Sequence, residues 1–215
     1  MSLSIEVGSL AFQYSLGDND SIVSVQEDLE SINAVLSELG MQTHKEPVEL
    51  PELASRAQIK SFSYAMVHHL RRAYAYYLDN PADPIEYLDD SEDPQEDILL
   101  DLEVDNMRSH LISHSDSEGF YIPIDFEKIV MDPTDEDRVP GLQLGSSYQL
   151  KRELEQVAAP IGINLQDGTL TDEEAERVNQ AIADEGSFYQ EQMAWIALWE
   201  MCRLSIEHGT AIKFC

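Results

Sequence analysis

Cysteine is almost missing from this chain: 215 residues contain two, Cys202 and the C-terminal Cys215. No disulfide framework can be read from them, so the reducing cytoplasm is the expected compartment. Long apolar runs are missing too. None approaches the roughly 20 residues that a membrane-spanning helix needs. The opening MSLSIEVGSLAFQYSLGDND has no basic stretch ahead of its apolar residues, so no secretory signal is expected. Positive charge is scarce, with 13 Lys and Arg against 42 Asp and Glu and a formal net charge of −29. Phosphate backbones and anionic membranes would both be repelled, which argues against nucleic-acid and membrane partners. Also absent are the glycine patterns that cradle nucleotide phosphates and the Gly-x-Ser-x-Gly elbow of serine hydrolases.

What is present is enough apolar material for a core. Hydrophobic residues make up 43% of the chain, more than a disordered acidic chain carries. Residues 5–16 read as a strand closed by Gly17. Asp20 or Ser21 then caps a helix whose apolar positions Val25, Leu29, Ile32, Leu36 and Leu39 recur at helical spacing up to Gly40. The stripe Ile59, Phe62, Met66, His69, Ala73 and Tyr76 predicts a long helix from about Glu52 to Leu78, ended by Asn80-Pro81. Residues 110–114 and 120–126 flank the turn-like Ser115–Gly119 and read as a β-hairpin. Ser146 or Ser147 opens a helix ending near Ala159. Thr171 and Glu174 form a capping box for the next helix, which runs to about Asp184. The segment Phe188–His208 is the clearest helix, with Trp195, Trp199, Cys202 and Ile206 on one face, and a short strand follows Gly209. No repeat or apolar-poor linker divides the chain. The expectation is one helix-dominated α+β domain over residues 1–215, with a small antiparallel sheet that includes a hairpin near 110–126. Acidic loops are expected near 79–95 and 127–140.

Chemistry-bearing residues concentrate in two places. His110 and His114 fall on one face of the expected strand, with Asp116 and Glu118 in the adjoining turn. Two imidazoles and a carboxylate could ligate a divalent metal ion, with His110, His114 and Asp116 as ligands. Without a metal, His110, His114 and Glu118 could serve acid–base catalysis. The spacing matches no zinc or calcium motif, and a solvated turn is the simpler account. In the long helix, Tyr64, His68, Arg71 and Arg72 make a basic and aromatic patch able to receive an anion. Pairing with the carboxylates that follow in the chain is the more economical alternative. His69 and Cys202 share apolar stripes, which points to packing rather than reactivity.

The acidic stretch is the strongest signal. Residues 79–105 contain twelve Asp and Glu and no Lys or Arg. Such a run is usually a solvated loop, yet it would also steer a cationic partner at long range. The leading expectation is therefore a non-catalytic binding or inhibitory protein that engages a basic protein partner and needs no cofactor. The contact residues would be Glu86, Asp89, Asp90, Glu92, Asp93, Glu96 and Asp97. The rival is a metal-dependent or acid–base enzyme centred on His110–Glu118. Charge alone also predicts self-repulsion near neutrality, relieved by salt and, if repulsion dominates, by acidification from pH 7 towards about 5.

Overall fold

The computed structural model describes residues 2–58, 61–89, 92–134 and 136–214, and leaves the side chains of Ser2, Leu3, Ser61 and Phe62 undescribed. The predicted helix-dominated α+β architecture is the one observed. The chain opens with β1 (Ser2–Val7), α1 (Ser9–Leu16) and α2 (Asn19–Glu38), followed by β2 (Ser61–Ser63), α3 (Tyr64–Asp79), α4 (Ile98–Asn106) and the short α5 (His110–Ser113). Strands β3 (Gly119–Ile122), β4 (Val130–Met131) and β5 (Gln143–Ser146) come next, then α6 (Ser147–Ala158), α7 (Asp172–Ala183), α8 (Tyr189–His208) and β6 (Ile212–Phe214).

The strands lie in the order β2-β1-β6-β3-β5-β4. The sheet is mixed rather than antiparallel throughout, because β3 and β5 run parallel while the remaining pairs are antiparallel. Side-chain alternation then builds two cores. Tyr121, Ile212 and Phe214 face α3, α6, α7 and α8. Phe120, Ile122 and Leu144 face Ile22, Val25, Leu29, Ile32 and Leu36 of α2. Helix α8 lies deep in the first core, where Trp195 and Trp199 stack at 4.8 Å and the Trp195 indole N–H donates to the Leu154 carbonyl at 2.7 Å. Cys202 is buried beside them, and burial pushes its thiol well above the ordinary range, as the packing assignment required.

Three local expectations are corrected. The first strand ends at Val7, where Gly8 takes φ +75° and turns the chain into α1. At that positive φ any side chain would be strained, which favours glycine there. The long helix starts at Tyr64 rather than Glu52, because Ser61–Ser63 pairs with β1. Of the predicted stripe, Phe62 sits in that strand and Ile59 lies outside the described residues. The hairpin near 110–126 is not formed. Ser109 accepts from the Ile112 N–H at 3.0 Å and starts helix α5 at His110, while Gly119–Ile122 pairs with β5 and β6 instead.

The caps are mostly as expected, with shifts. Asp18, two residues before the expected cap, holds the Ser21 N–H of α2 at 3.3 Å. Ser146 caps α6, accepting from Gln149 N–H. Thr171 accepts from Glu174 N–H at 3.1 Å, but the Glu174 carboxylate does not reciprocate; it accepts from Asn164 N–H at 2.7 Å and pairs with Arg177.

Candidate partner-binding face

The structure takes the His110–Glu118 cluster apart. His110 is buried, with Nδ1 accepting the Ser146 N–H at 2.9 Å and Nε2 lying 3.2 Å from the Glu127 carbonyl. Its two ring nitrogens are thus both engaged by backbone. His114 is also buried, its Nδ1 2.9 Å from the Ser115 carbonyl and its ring stacked on Tyr121 at 4.1 Å. Burial drives both imidazoles down to about pKa 4, so they are neutral at pH 7. Glu118 is exposed. Asp116 turns the other way, towards α3. Among the described residues no group of three or more His, Cys, Asp or Glu side chains is arranged to hold a metal ion. The expected ligand set His110, His114 and Asp116 is therefore not assembled, because the segment folded as a helix and a turn instead of one strand face.

The basic patch on α3 is consumed internally. Arg71 donates to the Leu111 carbonyl at 2.8 Å and the His114 carbonyl at 2.6 Å, and pairs with Asp116. His68 Nε2 lies 2.9 Å from Asp116 Oδ2 and 2.6 Å from the Gln95 amide. Burial works against the Asp116 charge, but the His68 hydrogen bond and the Arg71 guanidinium outweigh it and hold the carboxyl well below its usual range. Arg72 donates through Nε to Asp97 at 2.9 Å and through Nη1 to the Glu86 carbonyl at 3.1 Å. Its guanidinium lies 4.5 Å from the Tyr76 ring centroid, and the Tyr76 hydroxyl completes the clamp on Asp97 at 3.0 Å. Tyr64 is half-buried against the core. His68, Arg71 and Arg72 thus each have partners within the chain.

The same economy holds across the molecule. All eight arginines are ion-paired with the chain's own carboxylates: Arg56 with Glu200, Arg71 with Asp116, Arg72 with Asp97 and Arg108 with Glu103. Arg138 pairs with Glu38 and Asp132, Arg152 with Asp125, Arg177 with Glu174, and Arg203 with Glu200 and Glu207. Many of these partners are shielded, and Glu200 is fully buried. Scarce positive charge is thus spent on the chain's own carboxylates, several of them shielded from solvent. The exterior keeps an excess of negative charge with little to offset it.

That excess is organised on the segment between α3 and α5. Ile85, Pro94 and Leu100 are buried and seat it on the body. Arg72, Gln95 and Asp97 tie it to α3 through the contacts above. Asp97 also caps α4, accepting from the Leu99 N–H at 2.9 Å. It is therefore turned inward and spent on structure, while Asp93 and Glu92, though exposed, also accept backbone amides, those of Gln95 at 2.9 Å and Asp89 at 3.3 Å. Glu86, Asp89, Glu92, Asp93 and Glu96 are exposed, and Asp90 lies outside the described residues.

Helix α4 adds residues that charge counting did not single out. Ile98, Asp101, Leu102 and Asp105 follow i, i+3, i+4, i+7 spacing and share its outer face. Ile98 is 75% and Leu102 55% exposed, so two apolar side chains stand among carboxylates. The sequence signal was the run Ile98-Leu99-Leu100-x-Leu102, too apolar for its short helix to bury.

No helix among the described residues is long and apolar enough to cross a membrane. No curated protein and no solved structure matches the chain. One family model does, over residues 1–214, and with all but the last residue covered the chain belongs to that family, whose description is "Putative DNA-mimic protein".

Proposed function

We propose that this chain occupies the DNA-binding surface of a basic protein in place of DNA, and that the face between α3 and α5 makes the contact. One observation carries the reading: residues 79–105, with twelve acidic and no basic residues, are fastened to α3 by Arg72 and buried Ile85 and Leu100. Duplex DNA presents fixed negative charge along its backbone, about one per 1.7 Å of axis. A loose acidic tail would lose ordering entropy on binding a surface made for such a ligand, whereas a fastened strip has lost it during folding. Glu86, Asp89, Asp90, Glu92, Asp93 and Glu96 would take the place of phosphates, joined by Asp101 and Asp105 of α4.

Ile98 and Leu102 give this face something a phosphate backbone lacks. Carboxylates accelerate encounter with a cationic surface, while desolvated apolar side chains slow dissociation. The two sets should therefore separate kinetically.

The test is competition. Purified DNA-binding proteins from the source organism are loaded with labelled duplex DNA, and the chain is titrated in at low and at moderate salt. Displacement of DNA from at least one of them, weakening as salt rises, is expected. The variant Glu86→Gln/Glu92→Gln/Asp93→Asn/Glu96→Gln should then compete at least tenfold less well, chiefly through a lower association rate. Displacement unchanged by these substitutions would remove the assigned face, and a chain that displaces DNA from none would remove the function.

A further inference from the structure

Helix α4 turns a repeating face to solvent. Ile98 and Leu102 are exposed and four residues apart, and Asp101 and Asp105, also exposed, keep the same interval beside them. Four residues advance an α-helix by about 6 Å. Each such step of this face thus presents one carboxylate and one apolar side chain. The mixture continues beyond the start of the helix. Arg72 holds the Glu86 carbonyl and the Asp97 carboxylate together, and the residues that follow those two contacts in the chain are Tyr87 and Ile98. Tyr87 is exposed, with its ring edge-on to Phe188 at 6.0 Å. Three large apolar or aromatic side chains therefore emerge among the carboxylates of one strip.

We propose that the surface this strip occupies is one that holds unpaired DNA, a basic groove in which exposed aromatic side chains stand among Lys and Arg. The inference rests on the function proposed above and specifies its partner. In a duplex the base faces are stacked inside and only base edges reach the grooves. Its phosphates follow one another along each strand about every 3.4 Å of axis. A copy of that exterior needs closely spaced charge and little apolar surface. An unpaired strand differs in both respects. Its lower charge density releases fewer counterions per phosphate, and each phosphate is accompanied by a base face free to stack. One charge and one apolar group per step of about 6 Å reproduces that composition. Proteins that hold single strands set aromatic rings under successive bases inside a positively charged groove. Ile98, Leu102 and Tyr87 would rest on those rings, while Glu86, Asp101 and Asp105 meet the cations.

Competition on two forms of DNA tests this. A single-strand-binding protein of the source organism is loaded with labelled oligo(dT), and a protein that reads base edges is loaded with labelled duplex. The chain is titrated into each. Displacement of oligo(dT) is expected at a concentration at least tenfold below that needed for duplex. Ile98→Ser/Leu102→Ser should lose at least tenfold against oligo(dT) and less than twofold against duplex. Its circular dichroism should be unchanged, because both side chains are exposed. Displacement of duplex without oligo(dT), or equal potency on both, overturns the inference and leaves the proposed function standing. So does displacement of oligo(dT) that the double variant leaves unchanged, which would assign the competition to charge alone. Displacement of neither form, from these proteins or from those of the preceding competition, removes both readings.

Discussion

Glu153 shows how a buried carboxylate can be required in a chain with so many exposed ones. It accepts hydrogen bonds from the His110 N–H at 3.0 Å, the Leu111 N–H at 2.7 Å and the Ser109 hydroxyl at 2.9 Å. Together these satisfy the first free amides of α5 and fix the segment that leads to Asp116. Burial raises its pKa, and the same three hydrogen bonds oppose that rise. Glu153→Ala would leave all three donors buried without an acceptor. A loss of about 3 kcal/mol of unfolding free energy is expected, read from urea or guanidinium titration. Glu153→Gln should cost less, because one carbonyl oxygen remains to accept. A loss near zero for the alanine variant would mean that water replaces the carboxylate.

At the scale of elements, Arg72 decides whether the acidic segment is a surface or a tail. It touches the segment at two points eleven residues apart, the Glu86 carbonyl and the Asp97 carboxylate. Arg72→Met keeps the aliphatic stem but leaves the half-buried Asp97 without its cation. Amide hydrogen exchange across 86–97 should accelerate at least tenfold while α8 stays protected. Overall stability should drop by roughly 2 kcal/mol. Arg72→Lys should fall between, since one ammonium cannot reproduce both directed bonds. Exchange unchanged in the methionine variant would assign the anchoring to Ile85 and Leu100 alone. On α4, Ile98→Ser/Leu102→Ser should leave folding intact, because both side chains are exposed, and should raise the dissociation rate from a DNA-binding partner while sparing the association rate.

Over the whole molecule, two buried histidines oppose the pH dependence that net charge alone predicts. His110 and His114 have folded pKa values of about 4 against an ordinary 6.5, so the folded state binds fewer protons than the unfolded one. Their contribution is fully present above pH 6.5 and is lost as pH falls towards 4, at up to about 1.4 kcal/mol per pH unit for each. Between pH 7 and 5.5 the pair should cost about 2–3 kcal/mol. Ordinary carboxylates titrate near pH 4, so relief of self-repulsion comes mostly below that window. The melting temperature should therefore fall on mild acidification, and at pH 7 it should rise with salt through screening of the exterior carboxylates. His114→Gln should flatten the acid side of the profile. A melting temperature that climbs from pH 7 to 5.5 would show repulsion dominating after all.

The sequence by itself determined the amphipathic helices, the packed fates of His69, Cys202 and the two tryptophans, and the excess of carboxylates that a basic partner would meet. These follow from residue spacing and net charge, which are local or additive properties. Tertiary structure decided the rest. Whether residues 61–63 continue a helix or join a sheet depended on β1, some sixty residues away. Whether His110 and His114 share a face depended on Ser109 and Glu153 capping a helix where composition suggested a strand. Which carboxylates face solvent depended on where eight arginines found partners, and Asp97 was drawn inward by Arg72, 25 residues before it. Nothing in the composition distinguishes Asp97 from Glu96, because a carboxylate's role is set by whether a cation and two amides reach it once the chain has closed.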